Sequence, residues 1–247
     1  MSQPPSVEAT PQRIGELADG LAATRERIER ACRNAGRDPA QVHLIVVTKT
    51  WPARDVRALA ELGVRDVGEN KAGELADKRD TCADVPLTWH FIGQIQSNKA
   101  RLIGAHADVV HAVDRAKVLT PLARGAADIE GDRRAEDLGC LVQVSLDPDP
   151  MPERGGIAAD QAGWLADQIA LTPGLVLRGV MGVAPLAGDP RQAFERLRRT
   201  AEAIRREHPQ ADWISAGMSG DLEAAVEAGA THLRVGSAIL GSRPSLG

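Results

Sequence analysis

The chain contains no tyrosine, and only two phenylalanines and four tryptophans among 247 residues. No tyrosine can therefore serve it as a catalytic acid or base. Its three cysteines, Cys32, Cys82 and Cys140, are odd in number and far apart, with no CxxC pair and no Cys/His cluster at metal-ligand spacing. They read as free thiols of a reducing compartment, so the cytoplasm is expected and a metal is not. A basic surplus is also missing. Thirty Lys and Arg stand against 34 Asp and Glu, a net charge of −4, and a nucleic-acid partner is not expected. No apolar run approaches the ~20 residues of a membrane helix, so no membrane partner is expected. The stretch Met1 to Thr10 is polar and lacks the apolar segment of a signal peptide.

What is present is the composition of a globular protein, 43% hydrophobic and 26% charged. The length suits one large core, since α/β barrels reach about 250 residues as a single unit. Lysine is scarce, five residues (Lys49, Lys71, Lys78, Lys99, Lys117) against 25 arginines. The simplest source of that ratio is genomic base bias.

The hydrophobic period switches repeatedly along the chain. From Arg13 to Asn34, Ile14, Leu17, Leu21, Ile28 and Cys32 recur at helical spacing, and Gly36 and Pro39 end the pattern. Val42 to Thr48 is a continuous β-branched run, as in a strand of a parallel sheet buried on both faces. A helix then follows Pro52 and ends at Gly63. This strand-then-helix unit recurs. Val64 to Val67 leads into Ala72 to Arg79, Thr88 to Ile92 into Asn98 to Ile103, and Asp108 to Val113 into Arg115 to Ala127. Cys140 to Leu146 leads into Ala158 to Leu171, and Leu175 to Val183 into Arg191 to Glu207. Trp213 to Ser215 leads into Leu222 to Ala228, and Thr231 to Val235 into a short terminal segment.

Eight such units, joined by right-handed crossovers, predict a single (β/α)8 TIM barrel, class α/β, with an extra N-terminal helix. A doubly wound sheet would need a glycine-rich phosphate loop after its first strand, where this chain has Thr48-Lys49-Thr50-Trp51-Pro52. The expected organisation is a flexible N-terminal tail over 1–11, the barrel over 12–243 and a C-terminal tail over 244–247, with no second domain.

Barrel chemistry sits where strands end. After the first strand comes Lys49. An amine there is partly desolvated, which disfavours its ammonium form and frees the amine to attack a carbonyl. The plainer alternative is a lysine that snorkels to solvent. After the second strand, Gly68-Glu69-Asn70 offers an N-cap or ligand contact in Asn70, and in Glu69 a partner for a cation. The third strand holds Trp89-His90-Phe91. A strand histidine is more often a hydrogen-bonded core residue than a catalyst, and no second histidine or acid stands near it in the sequence to suggest a metal.

Strands seven and eight end in Gly217-Met218-Ser219-Gly220-Asp221 and Arg234-Val235-Gly236-Ser237. These small, hydroxyl-bearing turns open helices, where backbone N–H groups favour phosphate; ordinary capping is the alternative. Arg234 is a charge inside an apolar strand and must meet a carboxylate or a ligand atom. A closed barrel sets its first strand beside its eighth. An amine, a phosphate cradle and a cation then share one mouth, matching the aldehyde, phosphate and ring nitrogen of pyridoxal 5′-phosphate (PLP). A barrel-lysine aldolase acting on a sugar phosphate is the reading without this cofactor.

Several motifs together resemble one family. They are Val46-Val47-Thr48-Lys49, Gly68-Glu69-Asn70, Trp89-His90-Phe91-Ile92-Gly93, Gln96-Ser97-Asn98-Lys99, Gly179-Val180-Met181, Gly217-Met218-Ser219 and Arg234-Val235-Gly236-Ser237 with Gly241. In this order and spacing the chain, from about residue 12 to 243, resembles the pyridoxal phosphate homeostasis proteins (YggS/PROSC type), whose barrel is like the alanine racemase N-terminal domain, PLP fold type III. The resemblance implies PLP as cofactor, held as a Schiff base on Lys49, with Arg234 near the pyridine nitrogen. It implies Ser219, Gly236 and Ser237 at the phosphate, and Asn70, His90 and Met181 along the pocket. The 15 residues from Ser219 to Arg234 resemble the corresponding racemase spacing. This chain departs from the family pattern at Gly73, Ser145, Ala216 and Ser237, and in the proline-rich loop 147–152.

The resemblance implies a carrier that supplies PLP to apo-enzymes or buffers it, without catalytic residues; a monomer is expected because no second chain is needed to close the site. A PLP-dependent racemase is the competing class. A two-base racemase of the alanine racemase type uses a tyrosine from a C-terminal β-domain opposite its lysine. This chain has no tyrosine and ends seven residues past Leu240, so any racemase activity is expected to be weak.

Overall fold

The computed structural model describes residues 8–128, 137–148 and 151–241. Most of the expected N-terminal tail, all of the C-terminal one, and residues 149–150 of the proline-rich loop lie outside these residues. Among the described residues, eight parallel strands close into a barrel in sequence order. They are β1 (His43–Val47), β2 (Asp66–Glu69), β3 (Thr88–Phe91), β4 (Val109–Val113), β5 (Leu138–Gln143), β6 (Leu175–Met181), β7 (Trp213–Ser215) and β8 (His232–Val235). This is the predicted (β/α)8 barrel. The strands are apolar runs because both faces are covered: every residue of β4 and β5 is buried.

The helices are α1 (Pro11–Asn34), α2 (Ala53–Glu61), α3 (Ala72–Thr81), α4 (Ala100–His106), α5 (Leu119–Ala127), α6 (Ala162–Ala170), α7 (Pro190–Glu207), α8 (Leu222–Glu227) and α9 (Ser237–Leu240). None among the described residues is long and apolar enough to cross a membrane. Several expected helices begin late, because their first turns are 3-10: Ser97–Lys99 precedes α4, Ala116–Val118 precedes α5 and Ala159–Gln161 precedes α6. Strand β5 starts two residues before the expected Cys140 and stops at Gln143. Past it, Val144 pairs instead with Ile157 of the following loop. Cys32, Cys82 and Cys140 are buried and form no disulfide among the described residues.

Helix α1 is the element added to the barrel. Thr10 caps it by accepting from the Arg13 N–H at 3.2 Å, and Pro11 occupies its first turn. Leu17, Leu21, Ile28 and Cys32 form its buried stripe. Its midpoint lies almost on the backbone of α9. A Cβ at Gly20 would stand 2.6 Å from the Ile239 carbonyl oxygen and 2.9 Å from the Ile239 Cα. Only glycine permits that approach, and α9 grows directly out of the last strand turn.

Gly20→Ala is therefore expected to destabilise the protein by about 1–3 kcal/mol through overpacking, although alanine is the better helix former. Urea denaturation checks this; equal or raised stability would mean that α1 does not seat against α9.

Candidate functional site

Strand β1 pairs with β8 in parallel register, Val46 opposite Val235. The loop bearing Lys49 and the turn bearing Gly236 and Ser237 therefore leave the sheet side by side. Between them and the loop after β7 lies a cavity of about 340 Å³, within the usual range for small-ligand sites. Five of the eight expected residues line it: Lys49, Ser219, Arg234, Gly236 and Ser237. Trp51, Ile92 and Met218 also line it. Sequence reading missed them, since nothing but strand-end position marks an apolar wall residue.

The backbone around Lys49 is held from both sides. Thr48 is fully buried; its hydroxyl donates to Glu69 Oε1 at 2.6 Å, and its carbonyl accepts from Lys78 Nζ at 2.8 Å. Lys78 Nζ also donates to Glu69 Oε1 at 2.7 Å. On the other side, the Thr50 N–H donates to Glu74 Oε2 at 2.7 Å. Thr50 adopts φ +69°, a left-handed conformation that a β-branched residue rarely accepts and that these contacts must hold in place. Glu69 was expected to meet a cation; that cation is Lys78, one turn from the end of α3. Burial raises the Glu69 carboxyl above its ordinary value, and Lys78 opposes the shift. Farther out, the Arg13 guanidinium lies 4.4 Å above the Trp51 ring.

Across the cavity, Arg234 is 4% exposed. Its guanidinium donates to Ser215 Oγ at 2.6 Å and to the Gly182 carbonyl at 3.0 Å. Among the described residues it has no carboxylate in ion-pair contact; neutral acceptors hold it, and it lines the cavity. Burial pushes its pKa down to about 10, so it is still cationic at neutral pH.

The two loop hydroxyls meet, Ser237 Oγ donating to Ser219 Oγ at 3.2 Å. Arg27 of α1 braces their wall by donating to the Ser219 carbonyl at 2.6 Å and pairing with Glu223. Gly236 keeps this turn close to β1, where a Cβ would come 3.0 Å from the Val47 carbonyl oxygen, a tight contact.

Asn70, His90 and Met181 do not line the cavity. Asn70 makes no side-chain cap to α3, and its Oδ1 is buried without a partner, an acceptor left open beside the Lys49 frame. Gly93 lets the next loop pass, since a Cβ there would sit 2.1 Å from the Asn70 carbonyl oxygen. Met181 is 2% exposed and stands opposite Ser215 in the sheet. His90 lies in the barrel interior with both ring nitrogens engaged, Nδ1 to His111 Nε2 at 2.9 Å and Nε2 to Asp66 Oδ1 at 3.0 Å. The expectation of an imidazole without histidine or acid neighbours is thus corrected: β4 and β2 bring both, which no reading of adjacent residues could reveal. Among the described residues, no group of three or more His, Cys, Asp or Glu side chains could hold a metal.

Lys78→Met should cost about 3 kcal/mol or more, because it leaves the Glu69 carboxylate buried without its cation. A denaturation curve like that of the unmodified protein would show that the pair does not brace Lys49.

A model of the alanine racemase N-terminal domain family matches residues 20–244. A pyridoxal phosphate homeostasis protein of Mycobacterium tuberculosis (strain H37Rv) is 40% identical over 251 residues, covering 96% of each chain. PipY of Synechococcus elongatus, solved with PLP bound, is 31% identical with a TM-score of 0.76, covering 91% of this chain and all of that one. Alanine racemase of Corynebacterium glutamicum shares the fold alone, at 15% identity and TM-score 0.64, and this chain spans 62% of its length. The chain belongs to the alanine racemase N-terminal domain family, among the relatives named pyridoxal phosphate homeostasis proteins.

Proposed function

We propose that this protein binds PLP at the barrel mouth and serves intracellular PLP homeostasis, supplying the cofactor to apo-enzymes or buffering it for them. The observation that carries the reading is one cavity lined by an amine, a guanidinium and a pair of hydroxyls from adjacent loops. The naming of relatives at 40% identity and the PLP-bound PipY structure support it. When bound, PLP supplies an aldehyde that a lysine amine holds reversibly as a Schiff base.

The chain's own residues divide the work. Lys49 presents the amine from a backbone pinned at Thr48 and Thr50. Arg234 sets a permanent cation at the pyridine side; a cation there keeps the ring nitrogen unprotonated and so weakens the electron sink on which much PLP catalysis depends. Ser219, Gly236 and Ser237 offer hydroxyls and N–H groups to the phosphate, at the turn where α9 has donors without helical partners.

The reading is a carrier rather than an enzyme. The racemase fold favours the second reading, a weak amino-acid racemase. Against it, the chain has no tyrosine to act as a second base. Three buried cysteines outside any disulfide suit the cytoplasm.

The purified protein with PLP should be yellow, and borohydride reduction followed by peptide mass spectrometry should place a phosphopyridoxyl group on Lys49. Lys49→Ala should abolish both; an adduct confined to another lysine, or a colourless Schiff base with a sugar phosphate instead, would refute the assignment. Ser237→Asp should weaken PLP retention about tenfold or more, since a fixed carboxylate would face the phosphate dianion. Racemisation of several amino acids should stay at the level of the Lys49→Ala protein, and clear turnover would favour the second reading.

A further inference from the structure

Arg234 begins a hydrogen-bonded chain that runs through the whole barrel. Its Nη1 lies 2.6 Å from Ser215 Oγ, which lies 2.9 Å from His111 Nδ1. His111 Nε2 lies 2.9 Å from His90 Nδ1, and His90 Nε2 lies 3.0 Å from Asp66 Oδ1. The members come from β8, β7, β4, β3 and β2. Ser215 and His111 are fully buried and His90 is 1% exposed. Only Asp66, the first residue of β2 and so at the far end of the barrel from the mouth, reaches solvent, with a third of its side chain exposed.

The ends of this chain dictate its direction. A guanidinium can only donate, and an ionised carboxylate can only accept. At the Asp66 end, His90 Nε2 donates to the carboxylate. With one proton on each imidazole, His90 Nδ1 then accepts from His111 Nε2, and His111 Nδ1 accepts from Ser215 Oγ, which itself accepts from Arg234. With both imidazoles neutral, this is the one arrangement in which every contact of the chain is a hydrogen bond.

We propose that Ser215, His111 and His90 are positioning residues, a one-way donor chain anchored on Asp66 that aims Arg234 into the mouth while leaving its charge uncompensated there. The proposal rests on the reading of the mouth as a PLP site. A carboxylate in direct contact would hold the guanidinium too, but would cancel its charge and draw it away from a ligand. Neutral acceptors hold it without doing so, and the balancing carboxylate stands at the opposite end of the barrel. Burial favours the neutral ring at His111, holding it well below the ordinary imidazole value, and the Arg234 cation pushes the same way. His232, stacked on Trp213 at 3.9 Å, is itself driven down to about 2 by burial, so it adds no charge at neutral pH.

The test has two arms. Nitrogen-15 NMR of histidine-labelled protein without cofactor, at neutral pH, should find His111 and His90 both neutral with the proton on Nε2. A proton on Nδ1 of either ring, or a cationic ring, overturns the chain. In the second arm, Ser215→Ala should weaken PLP retention about tenfold or more while the Lys49 adduct persists, because Arg234 loses a charge-assisted bond. In an Arg234→Gln background the same substitution should change nothing further. Unchanged retention in Ser215→Ala, or a full additional loss in that background, overturns the positioning role. Should the unmodified protein form no adduct at all, the PLP reading falls, while the tautomers measured without cofactor still judge the chain.

Discussion

The pairing of the first strand with the last is the contact on which the site depends. Backbone hydrogen bonds between β1 and β8 set Val46 beside Val235, and a parallel ladder sends both chains out of the sheet at the same end. Lys49 and the Gly236–Ser237 turn are nearly 190 residues apart in the chain, yet this register makes them neighbours. An open sheet of the same strands would leave them at opposite edges. Closure also commits α9 to a fixed place, and α1 packs across it through Gly20, so the helix outside the barrel braces the turn inside the mouth.

Around the mouth, buried charge is handled in two different ways. Beneath Lys49, the Glu69 carboxylate and the Lys78 ammonium meet directly, and the pair is used to grip the backbone of Thr48. Such a pair gains little net stability over an apolar filling, because both ions lose their water. What it adds is definition, for it ties the strand end to α3. Across the cavity, Arg234 meets only neutral acceptors among the described residues. The two treatments differ in position: the first charges are internal scaffolding, whereas the guanidinium lines the cavity and keeps its field.

Legibility in the sequence followed the range of the interaction responsible. The eight strands were visible because a parallel strand covered on both faces must be a continuous apolar run, as Val42 to Thr48 is. Helix α1 was visible from its stripe, Leu17, Leu21, Ile28 and Cys32. The errors fell at ends: Leu138 and Gly139 join β5, and several helices open with a 3-10 turn, because end positions are decided by neighbouring strands and caps rather than by period. At the site, Lys49, Ser219, Arg234, Gly236 and Ser237 could be picked out by one rule, that barrel chemistry gathers where strands end. Ser215, His111 and Asp66 obey no such rule, since their importance lies in distances across the barrel interior.

Local chemistry in the sequence therefore determined the alternation of strands and helices, the amine and guanidinium at strand ends, and the glycine-rich turns beside them. These follow from hydrophobic period, turn residues and side-chain type, which are properties of a few adjacent positions. Tertiary structure alone decided that His90 would find His111 and Asp66, that Lys78 would be the cation for Glu69, and that Asn70 would keep an open acceptor. Closing the barrel brings groups from five strands within about 3 Å of one another, and at that range hydrogen-bond direction and burial, rather than residue identity, set what each group can do.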